Sequence, residues 1–318
     1  MRGDVYSQRH AFQKLVKNAD QAEFAAIAST SAIVDQGVYD DRVADAMDDY
    51  DVGADADVER WERDDLAFDS AVGQAREEIE RRVAIMGASY PFQLDGGSLV
   101  YTKSNSGFYE FCLAASLAEQ ITSGANVGFP RLFERLCALL VQEFFGPYAK
   151  SFHVGSPRQP DGHSQFGAAM RDAHLMTGEF IWSPDPDLPT DVTHTGDEGV
   201  DFIVWAKPPD QRIGSAFVLG QCACGDDWTE KFNDADLKRY RKWFNPLSYI
   251  EPLFAFATPY HVADGFLGEA SRRAGLVFDR ARLSILADAA CGRVEFNERI
   301  PQMDELSKLV LPQLEDAG

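Results

Sequence analysis

Two short apolar stretches decide the fold: GVDFIVW at residues 199–205 and SAFVLGQCA at residues 215–223. β-Branched and aromatic residues dominate both stretches, which is typical of β-strands. The segment KPPD at 207–210 lies between them and predicts a turn that folds the second strand back onto the first. An antiparallel hairpin is therefore predicted in the C-terminal half of the chain.

Further helices and strands are predicted on both sides of this hairpin. The predicted elements are helices at residues 133–145, 163–176 and about 229–244, a strand at 253–258, and a helix–strand–helix tail at 262–316. Gly146 and Pro147 end the first of these helices, because glycine and proline both interrupt helical structure. Strands alternate with helices in this half of the chain, which indicates an α/β (α+β) core rather than a helical bundle or a β-sandwich.

The N-terminal part of the chain has a different pattern. Its predicted elements are helices at residues 8–29, 58–86 and 108–121 and an extended excursion with a DGG turn at 90–101. The two long helices follow from apolar residues that recur every three to four positions. We place a domain boundary between an acidic, mainly helical N-terminal region at 1–125 and a C-terminal domain at 126–318.

The net charge of −21 over 318 residues restricts the function classes. It excludes a uniformly basic nucleic-acid coat, and it opposes binding to a phosphate backbone unless positive charge is local, comes from a metal ion or is brought by a partner. We therefore expect a partner protein or a homo-oligomer. Residues 35–65 hold 13 acids and three arginines. This stretch is a solvated surface, a docking surface for a basic partner, or a mimic of nucleic-acid charge.

Apolar runs and cysteine usage predict the compartment. The apolar runs are far shorter than the roughly 20 residues that a membrane span requires, and charged residues interrupt the start of the chain. The five cysteines do not form the spacing pattern of a secreted disulfide framework. These features predict a cytoplasmic protein without membrane contact.

Three short motifs lie in a fixed order on the predicted elements. Phe-Glu-x-Leu at 133–136 opens a helix, Gly-x-Asp at 199–201 begins the first hairpin strand, and Gly-Gln-Cys at 220–222 lies near the end of the second strand. In this order the motifs resemble those of the PD-(D/E)XK nuclease superfamily. They are most similar to the branch in which Gly-x-Asp is followed by Gln-x-Lys. The resemblance covers about residues 130–260.

The resemblance implies a fold, a cofactor and a reaction. The fold is a restriction-endonuclease-like mixed sheet flanked by helices, and the cofactor is Mg²⁺, with Mn²⁺ as a substitute. The reaction is endonucleolytic hydrolysis of phosphodiester bonds in nucleic acid, with DNA expected first. Domains of this kind often belong to prokaryotic restriction or anti-phage (antiviral) defence, so a defence role is expected from fold-level association alone.

Oxygen-bearing side chains on the hairpin predict a metal site. Phosphodiester cleavage needs an activated water and neutralisation of charge on the phosphate, and Mg²⁺, which prefers oxygen ligands, supplies both. Hairpin pairing places Asp201 opposite Gln221. We predict Asp201, facing solvent, as the main metal ligand and Gln221 as a second ligand through its carbonyl oxygen. By resemblance, Glu134 completes or orients the site.

The sequence departs from the superfamily pattern at position 223. The lysine that orients or activates water in the Gln-x-Lys pattern is replaced by Ala223, which cannot perform that role. We expect Lys231, in the first turns of the next predicted helix, to supply the missing ammonium group. Lys238 and Lys150 are alternatives, and an inactive site is another.

Each of these residues also has a purely structural interpretation. Asp201 follows Gly-Asp-Glu-Gly and is typical of a turn, and Glu134 in a first helical turn is favourable to the helix dipole without any catalysis. We expect Cys222 and Cys224 to pack as buried thiols rather than bind zinc, and His153 to lie at the surface. The main hypothesis is a metal-dependent nuclease. The alternatives are a catalytically inactive nuclease-fold module that binds nucleic acid or scaffolds a partner, and a protein-binding role of the acidic region.

Overall fold

The computed structural model describes residues 2–29, 33–34, 58–155, 166–185, 199–232, 237–244 and 248–311. Its helices, numbered in chain order, are α1 (Arg2–Ala28), α2 (Val58–Met86), α3 (Phe108–Leu117), α4 (Gly128–Phe145), α5 (Phe166–Thr177), α6 (Leu237–Tyr240), α7 (Asp264–Ala274), α8 (Arg280–Ala290), α9 (Val294–Asn297) and α10 (Ile300–Ser307). Its strands are β1 (Ile33–Val34), β2 (Phe92–Asp95), β3 (Ser98–Tyr101), β4 (Ala149–His153), β5 (Phe202–Ala206), β6 (Ala216–Cys222), β7 (Leu253–Ala257) and β8 (Leu276–Phe278).

Five of the described strands form a mixed sheet in the order β4-β5-β6-β7-β8. The pairs β4–β5 and β5–β6 are antiparallel, whereas β6–β7 and β7–β8 are parallel. The central hairpin pairs Phe202 with Gly220 and Ala206 with Ala216. Glycine is required at position 220 because the Phe202 ring occupies the space that a Cβ would take. The described strands β1, β2 and β3 form a separate small antiparallel sheet.

Alternation along the hairpin divides its apolar side chains between two cores. Phe202 and Val218 belong to the large core that α3, α4 and α8 cover. Ile203 and Leu219 belong to a second core built with α5 and α6. Adjacent residues of a strand point to opposite faces, so the sheet is covered by helices on both sides.

Helix α4 crosses one face of the sheet and carries Glu134. Phe133, Leu136 and Leu140 recur at helical spacing and are fully buried. The helix ends at Gly146, which has a φ of 84° and donates its N–H to carbonyl oxygens of the last turn. Glycine reaches this left-handed conformation without steric cost, so the helix stops where the sequence predicts.

Buried ion pairs join the N-terminal helices to the region of the large sheet. Arg280 on α8 donates to both carboxylate oxygens of Asp20 on α1, each at 2.9 Å. Arg82 on α2 donates to Asp20 and to Glu23 on α1, each at 2.7 Å. All four side chains are buried. Burial alone would raise the pKa of Asp20, but the two guanidinium groups hold it below its ordinary value, so the carboxylate stays charged.

The predicted fold class is confirmed. The chain has a mixed sheet flanked by helices, preceded by a mainly helical N-terminal region. The large core contains side chains from both sides of the expected boundary at 125/126, which stays a prediction. Most of the acidic stretch, at 35–57, lies outside the described residues. In the ranges that the structure does describe, no helix is long and apolar enough to cross a membrane.

Three predictions of secondary structure were wrong in detail. The helix expected at 133–145 begins at Gly128, so Glu134 lies in its second turn and not in its first. The helix expected at about 229–244 is replaced by a short 3₁₀ turn at Trp228–Glu230 and the four-residue α6 within the described part of that range. Strand β4 was missed. Its sequence, AKSFH, lacks the β-branched residues that mark an inner strand, because β4 pairs with β5 alone at the edge of the sheet.

Candidate metal centre

Asp201 lies where three strands meet. It immediately precedes β5, and its N–H donates to the carbonyl oxygen of Gly220 on β6 at 2.8 Å. Its own carbonyl oxygen accepts from the N–H groups of Val154 and Gly155, just beyond β4, at 2.7 and 2.9 Å. The N–H of Cys222 donates to Oδ2 of its carboxylate at 2.6 Å. Backbone contacts on both sides therefore fix the position of this side chain.

The expectation that Asp201 faces solvent was wrong. The residue is only 7% exposed. The reason is that its carboxylate folds back onto the N–H of Cys222, and a hydrogen bond to a charged acceptor is a strong one. The carboxylate is therefore held by the sheet and not by a solvated turn.

The carboxylates of Glu134 and Asp201 converge beside Gly155. A Cβ placed on Gly155 would lie 2.5 Å from Oε2 of Glu134 and 3.2 Å from Oδ1 of Asp201. The same point would lie 3.0 Å from Nε2 of His153, which is 3.2 Å from Oε2 of Glu134. We call the space bounded by these three side chains the Gly155 cradle. It exists because position 155 has no side chain.

His153 was expected at the surface, and that expectation was wrong. Its side chain is 6% exposed. The register of β4 pairs His153 with Phe202, whose ring belongs to the core under α4. Directly opposite residues share a face of the sheet, so the imidazole is turned toward Glu134 on α4. Neither His153 nor Gly155 belongs to a sequence motif, and only the recognition of β4 as a strand could have placed them here.

Gln221 lies on the strand next to Asp201. It comes one residue after the last regular pair of the hairpin, Phe202 and Gly220, and it pairs with Phe256 on β7. The residue is 6% exposed. An amide this deeply buried needs hydrogen-bond or ligand partners. Continuing the register of the hairpin by one residue places Gln221 opposite Asp201, and the use of the amide oxygen as a ligand stays a prediction.

The cysteines of β6 pack behind the site. Cys224 is buried in the core under α4, as expected, whereas Cys222 is only partly buried and packs against that core. The Cys222 thiol also lies beside that of Cys137 on α4. Burial raises the pKa of the Cys137 thiol and raises the pKa of the Cys222 thiol well above its ordinary value. Packing against the core under α4 makes this wall of the site apolar.

Lys231, Lys238 and Lys150 stay alternative sources of the ammonium group that is missing at position 223. Ala223 is 2% exposed and packs in an aromatic cluster. Lys231 follows the 3₁₀ turn, and its Nζ forms an ion pair with Oδ1 of Asp227 at 3.3 Å, with 37% of its side chain exposed. Lys150 on β4 and Lys238 on α6 are exposed. A catalytic contact of any of these lysines stays a prediction.

The Gly155 cradle offers oxygen ligands to a hard cation. Within the described residues, no group of three or more His, Cys, Asp or Glu side chains is arranged to hold a metal ion. Mg²⁺ needs fewer protein ligands, because it keeps several waters and is commonly held by one or two carboxylates together with substrate phosphates. Glu134 and Asp201 therefore fit a partly hydrated Mg²⁺ better than an enclosed zinc site.

Comparisons with known proteins give distant structural similarities. No family model matches the sequence, and no curated protein does either. Among solved structures, the chain is similar to the MspJI restriction endonuclease in complex with a 27-mer oligonucleotide, at 12% identity and a TM-score of 0.30, over 69% of this chain and 38% of that one. It is also similar to protein VC1899 from Vibrio cholerae, at 8% identity and a TM-score of 0.20, over 89% and 56%. The chain spans less than two thirds of either structure, and similarity at this level carries no argument about activity.

Proposed function

We propose that the protein is a metal-dependent nuclease that hydrolyses phosphodiester bonds, with DNA as the substrate. One observation carries this proposal: the carboxylates of Glu134 and Asp201 converge beside Gly155, at the end of the sheet where β4, β5 and β6 meet. Two carboxylates in one cradle, with the amide of Gln221 on the next strand, form an oxygen donor set suited to Mg²⁺. The order of the three sequence motifs supports the same function.

The residues of the site have separate roles in this proposal. Asp201 and Glu134 hold Mg²⁺ or Mn²⁺, and Gln221 adds its carbonyl oxygen. When bound, such an ion lowers the pKa of water and neutralises charge on the phosphate. His153 orients Glu134 by donating a hydrogen bond from Nε2 to Oε2. The N–H of Cys222 orients Asp201 in the same way through Oδ2.

The test is cleavage of plasmid and single-stranded DNA by the purified protein in Mg²⁺, in Mn²⁺ and in EDTA. We expect cleavage with either ion and none in EDTA. Asp201→Asn should abolish cleavage, because it removes the anionic ligand and keeps an oxygen that accepts from Cys222. Asp210→Asn is the matched control, since Asp210 is exposed at the opposite end of the same hairpin and pairs with Arg212. Activity in EDTA, or full activity of Asp201→Asn, would refute the assignment.

A second candidate is an inactive nuclease-fold module that binds nucleic acid or scaffolds a partner. Ala223 favours it, because the residue is buried in an aromatic cluster and has no ammonium group to offer. In that case the wild type binds DNA and cleaves nothing with either ion. Cleavage by Ala223→Lys alone would then identify the natural chain as a degenerate nuclease.

We extend the nuclease proposal to prokaryotic restriction or anti-phage defence, with activity in a homo-oligomer or with a partner protein. The charge of −21 supports the need for a partner, because the free chain repels a phosphate backbone. Phage plating on cells that express the wild type or Asp201→Asn tests the defence role. Equal plaque counts in the two strains would contradict it.

A further inference from the structure

A second pocket lies at the same end of the sheet and does not include Glu134 or Asp201. It has a volume of about 510 Å³ and lies between α1 and the segments that follow β6 and β7. Pockets of 300–1,000 Å³ are the usual size for small-molecule sites. We call it the aromatic pocket, after the side chains that line it from the sheet side: Trp228, Tyr260 and Phe266.

The aromatic wall of this pocket is held in place, and Tyr260 is its most accessible ring, since Trp228 is 4% exposed and Phe266 7%. The rings of Trp228 and Tyr260 are nearly parallel, with 15° between their planes and 5.9 Å between their centroids. The Tyr260 hydroxyl donates to Oδ1 of Asp226 at 2.9 Å, which fixes the phenol. Phe266 meets the Trp228 ring edge-on at 6.3 Å. The partly exposed Tyr260 ring, supported by Trp228 behind it, therefore offers an aromatic face to planar ligands, and nucleobases of any kind stack on such faces.

The opposite wall carries positive charge. Lys14 and Lys17 line the pocket and are exposed one helical turn apart on α1, so they lie on the same side of that helix. Two acids also line the pocket: Asp20 is ion-paired with Arg82 and Arg280, and the carboxylate of Asp226 accepts a hydrogen bond from the Tyr260 hydroxyl. In a chain of net charge −21, two lysines grouped at one pocket favour an anionic ligand.

A buried amide completes the lining. Asn18 is 5% exposed and lines the pocket from α1, directly after Lys17 in sequence. A side-chain amide offers both hydrogen-bond donors and an acceptor. The edge of a nucleobase presents complementary acceptors and donors. The pocket therefore joins a stacking surface, a group able to read a base edge and cationic groups able to contact a phosphate.

We propose that the aromatic pocket binds a nucleotide unit, with its base against the Tyr260 ring that Trp228 supports and its phosphate at Lys14 and Lys17. The unit is either a free nucleotide or part of a nucleic-acid strand. The proposal goes beyond the nuclease function and does not depend on it, because neither carboxylate of the Gly155 cradle lines the pocket.

Titration calorimetry on the full chain in EDTA tests the proposal without involving a divalent ion. The probes are the four nucleoside monophosphates, the matching nucleosides, inorganic phosphate and a short single-stranded oligodeoxynucleotide. We expect at least one nucleotide to bind more tightly than its nucleoside or phosphate alone, because base and phosphate have separate contacts. If only the oligonucleotide binds, and the pocket variants described below weaken that binding, then the bound nucleotide belongs to a nucleic-acid strand.

Three variants assign the binding to this pocket. The double variant Lys14→Ala, Lys17→Ala should weaken binding about tenfold or more, since contacts to phosphate from ammonium groups are among the stronger hydrogen bonds, and it should fold because alanine favours helices. Gln13→Phe should narrow the pocket from α1 and weaken binding. Lys103→Ala is the control, as an exposed lysine with a long ion pair of 3.7 Å to Asp304.

Three results would overturn the proposal. They are the absence of binding by every probe, binding that the pocket variants leave unchanged, and phosphate bound as tightly as any nucleotide. DNA cleavage is measured separately with Mg²⁺. A chain that cleaves DNA but binds no nucleotide refutes the pocket alone, and a chain that binds nucleotides but cleaves nothing refutes the nuclease alone.

Discussion

Replacing Gly155 with alanine tests whether the meeting point of Glu134 and Asp201 is the functional centre. The new Cβ would lie 2.5 Å from Oε2 of Glu134, whereas ordinary van der Waals contact begins near 3.4 Å. The Glu134 oxygen therefore has to retreat by about 0.9 Å. Nε2 of His153, at 3.0 Å from the same Cβ, has to move with it.

The expected effect is large on activity and small on stability. A misplacement of about 1 Å can cost ~10² in rate, so Mg²⁺-dependent cleavage should fall by about that factor. The clashing atom is the far end of a flexible side chain, and Gly155 is not among the residues with positive φ. The free energy of unfolding should therefore change by less than about 1 kcal/mol, helped by the lower entropy of the unfolded chain.

The assay pairs plasmid cleavage in Mg²⁺ with thermal melting followed by circular dichroism. Gly128→Ala is the matched control, because its Cβ would meet the flexible Leu306 side chain at 2.7 Å, on helix α10. This control should keep full activity. A Gly155→Ala protein with wild-type activity and stability would refute the reasoning. A Gly155→Ala protein that does not fold would show that the glycine is structural.

Three further predictions concern the lysine, the buried ion pairs and acid stability. Lys231→Ala should lower the cleavage rate by about 10²–10³ without lowering metal affinity. Adding Ala223→Lys to this variant should restore part of the cleavage rate. Equal rates for wild type and Lys231→Ala would contradict this role of Lys231. Arg280→Ala leaves a carboxylate on α1 buried without its main partner and should cost about 3–5 kcal/mol in urea unfolding, so a loss below about 1 kcal/mol would argue against the network. Burial raises the pKa of Glu78, but the neighbouring imidazole and guanidinium groups outweigh it and lower that pKa to about 2 from 4.5. Because this pKa is depressed in the folded state, the stability it contributes is complete above pH 4.5 and is lost as the pH falls toward 2. Melts between those pH values should show a weaker acid dependence for Glu78→Gln than for the wild type.

The central hairpin could be predicted because every local signal agrees with its place in the fold. Apolar β-forming runs at 202–206 and 216–222 are buried on both faces, and the intervening prolines form the turn. The edge strand β4 could not be predicted in this way. A strand that is paired on one side and partly exposed tolerates Lys150 and Ser151, so its composition does not distinguish it from a loop.

The site was predictable only where a motif marked it. Glu134 and Asp201 lie in motifs whose order identified them, and the structure brings their carboxylates together. His153 and Gly155 could not be found from local sequence, because their role depends on the register of β4 against β5 and on a missing Cβ. Both are long-range properties that appear only when strands distant in the chain are paired. The solvent exposure of Asp201 was misjudged for the same reason.

The ion pair between Asp20 and Arg280 has a consequence for how this chain can be divided. The two residues are 260 positions apart in sequence, yet their opposite charges compensate each other in the buried core. A fragment that begins after α1 would keep the Arg280 guanidinium inside the core without its carboxylate. The uncompensated charge would cost several kcal/mol, a large share of the 5–15 kcal/mol that typically stabilises a domain. We therefore expect that the N-terminal helices and the sheet cannot be exchanged between proteins as separate modules, and that a growing chain completes its core only after Arg280 has been synthesised.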